Sequence, residues 1–259
     1  MDVIRSSQNP VFKSLRRLVE QRRERRAQRL IVLEGVHLVQ SLLQAGGEIT
    51  EYIVREDMCE HAEILHWTQG RHRLMTEQRL AELSELDSPP PLLALARLPA
   101  ATVQASKHAI WLDRIQDPGN LGTLLRSAAA AGVHEIHLSP GCTDPWSLRC
   151  LRAGMGAHFQ LQVQESALEQ ARLSPRQLAV TCLEQAQSLY QADLRQPTLW
   201  VFGNEGEGVR AGLIEAADLR LRIDMQEGME SLNVACAATV CLFEQRRQES
   251  LLSSPGTKV

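Results

Sequence analysis

The chain has 259 residues, 44% hydrophobic and 23% charged, with 16 glycines and 11 prolines scattered along it; that composition excludes a fibrous or disordered protein, and the length suits two unequal domains. No apolar run approaches the roughly 20 residues of a membrane span, and Met1-Asp2-Val3-Ile4-Arg5 has no apolar signal region, so a cytoplasmic location is expected. The net charge of −3 is unevenly spread: residues 1–30 carry Arg5, Lys13, Arg16, Arg17, Arg22, Arg23, Arg25, Arg26 and Arg29 against Asp2, Glu20 and Glu24, either a grip for nucleic-acid phosphates or a solvated helix face.

Phe12, Leu15, Leu18 and Val19 recur at helical spacing, which predicts one amphipathic helix from Val11 to Gln28. Leu30–Leu33 reads as a buried strand. Gly35–Ala45 follows as a helix stopped by Gly46-Gly47, then come a strand at Glu51–Val54, helices at Glu60–Trp67 and Glu77–Leu83, and a strand at Leu92–Leu98. Small and polar residues at 99–106 form a linker, dividing a first domain, 1–98, from a second, 107–250, with a tail at 251–259. Strand patterns in the second domain at Ala109–Leu112, Glu135–Leu138, Leu178–Leu183, Thr198–Val201 and Leu219–Ile223 alternate with helical segments. The expected fold class is therefore α/β with a mostly parallel sheet, whose ligands sit beyond the carboxyl ends of the strands. The six cysteines form no Cys-x-x-Cys pair and do not alternate closely with histidine, so neither a zinc site nor a disulfide framework is expected.

Three loops follow strands of this sheet. In Asp117-Pro118-Gly119-Asn120-Leu121-Gly122 a Pro-Gly turn leads to a helix that Asn120 can cap, with Arg126 in its second turn; alone, this is either a functional loop or a plain strand–turn–helix with a solvated arginine. Gly203-Asn204-Glu205-Gly206-Glu207-Gly208 lets a ligand approach the backbone closely, and its acids suit a neutral or cationic ligand better than a phosphate; a simple Gly-rich turn is the alternative. In the third, Ser231 and Asn233 open a helix rich in small residues, as a helix cap or as ligand contacts.

In this order the loops resemble the motifs of the SpoU (TrmH) family of SPOUT RNA methyltransferases: Asp117, Pro118, Asn120, Gly122 and Arg126; then Gly203, Glu205 and Gly208; then Glu230-Ser231-Leu232-Asn233-Val234. Asn9-Pro10, the basic helix and Leu33-Glu34-Gly35 resemble landmarks of that family's small α/β substrate-binding domain. The resemblance implies a C-terminal trefoil knot, a homodimer with composite sites and ribose 2′-O-methylation of RNA by S-adenosylmethionine. It assigns the cofactor to Gly203, Asn204, Glu205, Gly206, Ile223, Met225, Ser231, Leu232 and Asn233. Arg126, Asn120, Glu205, Ser231 and Asn233 become the catalytic set, and Arg5, Asn9, Lys13, Arg16, Arg22, Arg23, Arg25, Arg26 and Arg29 the RNA contacts, with no metal. Ribosomal RNA is the expected substrate, with transfer RNA as the alternative. Two positions depart from the family pattern, Asp224 in place of a proline and Glu227 in place of a glycine, and both add negative charge beside the expected adenosine pocket. A non-catalytic RNA-binding or ribosome-assembly protein on the same fold is the rival reading. A nicotinamide-dependent oxidoreductase lacks its Gly-x-Gly-x-x-Gly turn here.

Overall fold

A computed structural model describes residues 3–99, 106–172, 175–183, 185–229 and 231–253. Most of the expected linker and tail, and Glu230 of the third motif, lie outside them. The chain divides into two compact units. The first comprises residues 1–100 with Asp144–Phe159, the second residues 101–143 with Gln160–Val259. The span 107–250 is thus interrupted: a stretch from its interior packs with the first unit.

The first unit contains β1 (Val3–Ile4), α1 (Pro10–Glu20), α2 (Arg22–Gln28), β2 (Leu30–Glu34), α3 (Val36–Gln44), β3 (Ile49–Arg55), α4 (Ala62–Thr68), β4 (Arg73–Met75), α5 (Glu77–Ala81) and β5 (Leu92–Arg97). Its sheet runs β1-β4-β3-β5-β2, with β5 antiparallel to both neighbours. Asn9 caps α1 by accepting from the Val11 N–H (2.9 Å), and Pro10 starts the helix where a missing N–H costs nothing. Phe12, Leu15 and Leu18 form its buried face against Ile53, Met75 and Leu93, while Leu38, Val39, Leu42 and Ile64 pack in a second cluster with Ile31, Leu33 and Val54.

The predicted helix Val11–Gln28 is two helices. Gln21 adopts an extended conformation (φ −122°, ψ 111°) between α1 and α2. The break turns Arg25 inward: its Nη1 donates to the carbonyls of Leu18 and Val19, which α1 leaves unpaired at its end, and its Nε donates to Asp144 (2.8 Å).

The second unit begins with β6 (Ala109–Leu112), α6 (Pro118–Ala131) and β7 (Glu135–Leu138). Next comes α7 (Leu148–Gly154), which belongs to the first unit and places Leu148 and Leu151 in its two clusters. The chain then adds β8 (Gln162–Glu165), α8 (Leu168–Ala171), β9 (Gln177–Thr181), β10 (Gln187–Ser188), β11 (Thr198–Phe202), α9 (Ala211–Glu215), β12 (Leu219–Arg222) and α10 (Val234–Ser253). All pairings in the sheet β10-β12-β9-β11-β6-β7-β8 are parallel. The two late strands β11 and β12 lie inside it: β11 between β6 and β9, β12 between β9 and β10. Trp111, Trp200 and Phe202 are buried here, and the Trp200 indole donates to Gln245 of α10 (2.9 Å). Among the described residues no cysteine is in a disulfide, and burial pushes the Cys241 thiol up to about 12. No described helix is long and apolar enough to cross a membrane, and no described group of three or more His, Cys, Asp or Glu is placed to hold a metal.

Candidate active site

Strand register brings the loops together. Leu112 pairs with Phe202 and Thr181 with Leu221, so β6, β11, β9 and β12 end at matching levels, and their following loops emerge side by side. The first loop leads into α6, whose cap is Asp117 rather than Asn120: its Oδ1 accepts from the Asn120 N–H (2.8 Å), and Pro118 occupies the first helical position. Asn120 therefore stands in the first turn of α6 with its side chain uncommitted to capping. Asn233 is the cap of α10, its Oδ1 accepting from the N–H groups of Ala235 (2.9 Å) and Cys236 (3.3 Å), so Ser231 is released from that role.

These corrections build a polar relay. The Asn233 amide donates to Asn120 Oδ1 (2.8 Å), and the Asn120 amide donates to Glu205 Oε1 (3.1 Å). Glu205 also accepts from the backbone N–H groups of Gln116 (3.2 Å) and Asp117 (3.1 Å). Burial alone would raise its carboxyl pKa, but the bonds from Asn120 and the backbone outweigh it and hold Glu205 below the usual carboxylate range. Three loops are so joined through side chains. The glycine loop is folded on itself: Asn204 Oδ1 accepts from the N–H groups of Gly206 (2.9 Å) and Glu207 (3.1 Å), and its backbone carbonyl from Gly208 (2.9 Å). A Cβ at Gly203 would lie 2.3 Å from the backbone of Gly208 and Val209, so only glycine fits.

A cavity of about 870 Å³ opens at this junction. Gly203, Asn204, Glu205, Gly206, Ile223, Met225, Ser231, Leu232 and Asn233 line it, as does Asn120. Ser231 makes no hydrogen bond to another described residue. Among the described residues, Glu205, Glu207 and Glu215 give the wall an acidic character against Arg222. Sequence reasoning missed Thr181, Cys182 and Leu183, which also line it; the available signal was their place at the carboxyl end of a parallel strand. Arg126 is not on the wall. Since α6 begins at Pro118, Arg126 falls in the third turn rather than the second, exposed and without a hydrogen bond or ion pair to a described residue. Asp224 and Glu227 are off the wall as well. Asp224 accepts from the Ser188 hydroxyl and from Arg222 Nε (3.1 Å), which turns its charge toward β10.

The basic residues of the first unit divide into groups. Arg25 is 5% exposed and committed to Asp144 and two carbonyls, which removes it from the expected RNA contacts. Asn9 spends its side-chain oxygen on capping. Arg5 pairs with Glu56 (2.8 Å) and Arg16 with Glu20 (2.7 Å), both exposed, and Arg22 stands 4.0 Å from Asp144. Lys13, Arg23, Arg26 and Arg29 are exposed.

Residues 107–243 match the model of the SpoU rRNA Methylase family, and residues 9–94 match that of the MRM3-like substrate binding domain. The chain belongs to the SpoU rRNA methylase family, and its α/β architecture is that of the SPOUT methyltransferases. It is 35% identical to an uncharacterized tRNA/rRNA methyltransferase of Synechocystis, over 98% of this chain and 96% of that one. It is 28% identical to the 23S rRNA (guanosine(2553)-2′-O)-methyltransferase RlmP of Bacillus subtilis, over 95% of this chain and 100% of the relative. The crystal structure of an AdoMet-bound rRNA methyltransferase from Sinorhizobium meliloti superimposes with a TM-score of 0.80 at 29% identity, covering 95% of this chain and 97% of the other.

Proposed function

We propose that this protein transfers a methyl group from S-adenosylmethionine to a ribose 2′-hydroxyl in structured ribosomal RNA. The observation that carries the reading is the strand-end cavity, lined by every residue that the family resemblance assigns to the methyl donor. The rRNA activities named for RlmP and the AdoMet-bound neighbour support it. The residues fit the donor: the acidic wall suits a sulfonium cation, and Gly203, Gly206 and Gly208 put no side chain on the wall where a ligand would lie. When bound, the donor would supply an activated methyl carbon: its C–S electron pair would stay with sulfur as a neutral thioether, a C–O bond would form, and the hydroxyl proton would pass to water. The chain's own part is largely positioning. Glu205, held ionised by the hydrogen bonds from Asn120, Gln116 and Asp117, orients Asn120 and the first loop and is a poor proton acceptor. Arg126 clamps the RNA phosphate beside the reacting ribose. Its place off its own cavity wall supports a homodimer in which a second copy presents it. A threaded C-terminal chain belongs to the same reading, supported by β11 and β12 lying between strands that precede them. So does a cytoplasmic location.

Arg126→Ala is expected to leave donor affinity intact while single-turnover methylation falls at least about tenfold, or about 1.4 kcal/mol of transition-state stabilisation. Unchanged turnover would remove Arg126 from the mechanism. Mass-spectrometric mapping of ribose methylation in cells lacking the gene is expected to show one lost mark in ribosomal RNA. A mark lost from transfer RNA instead would move the substrate. If the folded protein takes up no donor, with or without RNA, a nucleic-acid scaffold is left.

The α1–α2 surface is the proposed RNA grip. Neutralising Arg22, Arg23 and Arg26 is expected to weaken RNA binding and to flatten the slope of log affinity against log salt by about 0.7 to 0.9 for each phosphate that no longer meets a cation. An unchanged slope would put the RNA elsewhere.

A further inference from the structure

Asp113 and Arg114 follow β6 directly, and neither lines the cavity. Both hold the loop that does. Asp113 is completely buried, its Oδ2 accepts from Arg210 Nε (2.9 Å) just beyond the glycine loop, and its Oδ1 stands 3.5 Å from Arg114 Nε. Arg114 Nη1 donates to Glu207 (2.7 Å), and the Arg114 carbonyl accepts from the Asn204 side chain (3.0 Å). Asn204 and Glu207 are wall residues. We infer that Asp113 and Arg114 are positioning residues that grip the Gly203–Gly208 loop at both ends, and so set affinity for the methyl donor without entering the transfer step. The inference rests on the donor reading of the cavity.

Arg114 holds φ +56°, a conformation that glycine adopts without cost and an arginine does not. Its backbone carbonyl bond to Asn204 would survive replacement by glycine; only the guanidinium bridge between Asp113 and Glu207 would go. Arg114→Gly is therefore a clean subtraction. A buried carboxylate keeps its cations in place because leaving it uncompensated is costly, so Asp113 fixes Arg210 and Arg114 together. An opposing effect exists: with Arg114 gone, Glu207 carries an unscreened charge toward a cationic donor. That side chain is 69% exposed, where such attraction is weak, and the loss of loop order outweighs it.

The test is calorimetric titration of the full chain with S-adenosylmethionine, alongside donor kinetics and amide hydrogen exchange. Arg114→Gly and Glu207→Gln are each expected to weaken donor binding about three- to fivefold, with the pair together no worse than either, because both break one bridge. Asp113→Asn is expected to weaken it about tenfold. For Arg114→Gly the donor KM should rise in the same proportion with kcat and RNA KM unchanged, amides of residues 203–208 should exchange faster, and the thermal midpoint should not fall. The inference is overturned if Arg114→Gly matches wild type in donor affinity and loop exchange, or if kcat falls instead of KM rising. A wild-type chain that binds no donor would overturn the proposed function and this inference with it; a wild type that binds and a variant that binds equally would overturn the inference alone.

Discussion

Gly203→Ala is expected to lower affinity for S-adenosylmethionine about 100-fold, the equivalent of about 2.7 kcal/mol, while the first unit keeps its secondary structure. The added methyl would meet the backbone of Gly208 and Val209 at 2.3 Å, and no side-chain rotation relieves a clash with main chain. The loop must open, and Asn204 and Glu205 move with it. Gly206→Ala is the control, since its Cβ would meet only Asn204 Oδ1 at an ordinary 3.6 Å. Titration calorimetry on the two variants, paired with circular dichroism, checks the contrast. Equal affinities would mean that the tight return of this loop has no bearing on the ligand.

Arg25→Ala is expected to destabilise the protein by about 3–5 kcal/mol, because it strands a buried Asp144 and two carbonyls at the end of α1. Arg23→Ala, on a side chain 84% exposed, should change stability by less than about 0.5 kcal/mol. Urea denaturation followed at the tryptophans measures both. Replacing the pair together, Arg25→Met with Asp144→Leu, should recover much of the loss, since paired apolar groups carry no desolvation penalty. If Arg25→Ala is fully stable yet binds RNA weakly, Arg25 belongs to the RNA surface after all.

Some of this organisation is legible in the chain and some is not. The strands Ala109–Leu112 and Glu135–Leu138 coincide with β6 and β7, since continuous apolar runs between turn residues are local signals. The three loops read well because glycines, caps and prolines act within a few residues. Even there, Asp117 and Asn120, or Ser231 and Asn233, are equally good capping residues by type; Pro118 at the first helical position is the cue that favours Asp117. The strand Gln162–Glu165 escapes because its composition is polar, and Gln187–Ser188 because two residues carry no period. Arg25 is hidden for a different reason. Its partner lies 119 residues away, and nothing in a run of arginines marks the one that turns inward.

The excursion of residues 144–159 constrains how the protein can be taken apart. A fragment ending at residue 98 would lack Leu148 and Leu151, both of which fill its apolar interior, together with the counter-charge of Arg25. A fragment beginning at residue 107 would carry those leucines with nothing to cover them. Dissection at the apparent linker thus yields two sticky halves, and a soluble fragment of the second unit calls for excising all of Asp144–Phe159, which also carries Trp146 and Phe159 of the same apolar cluster.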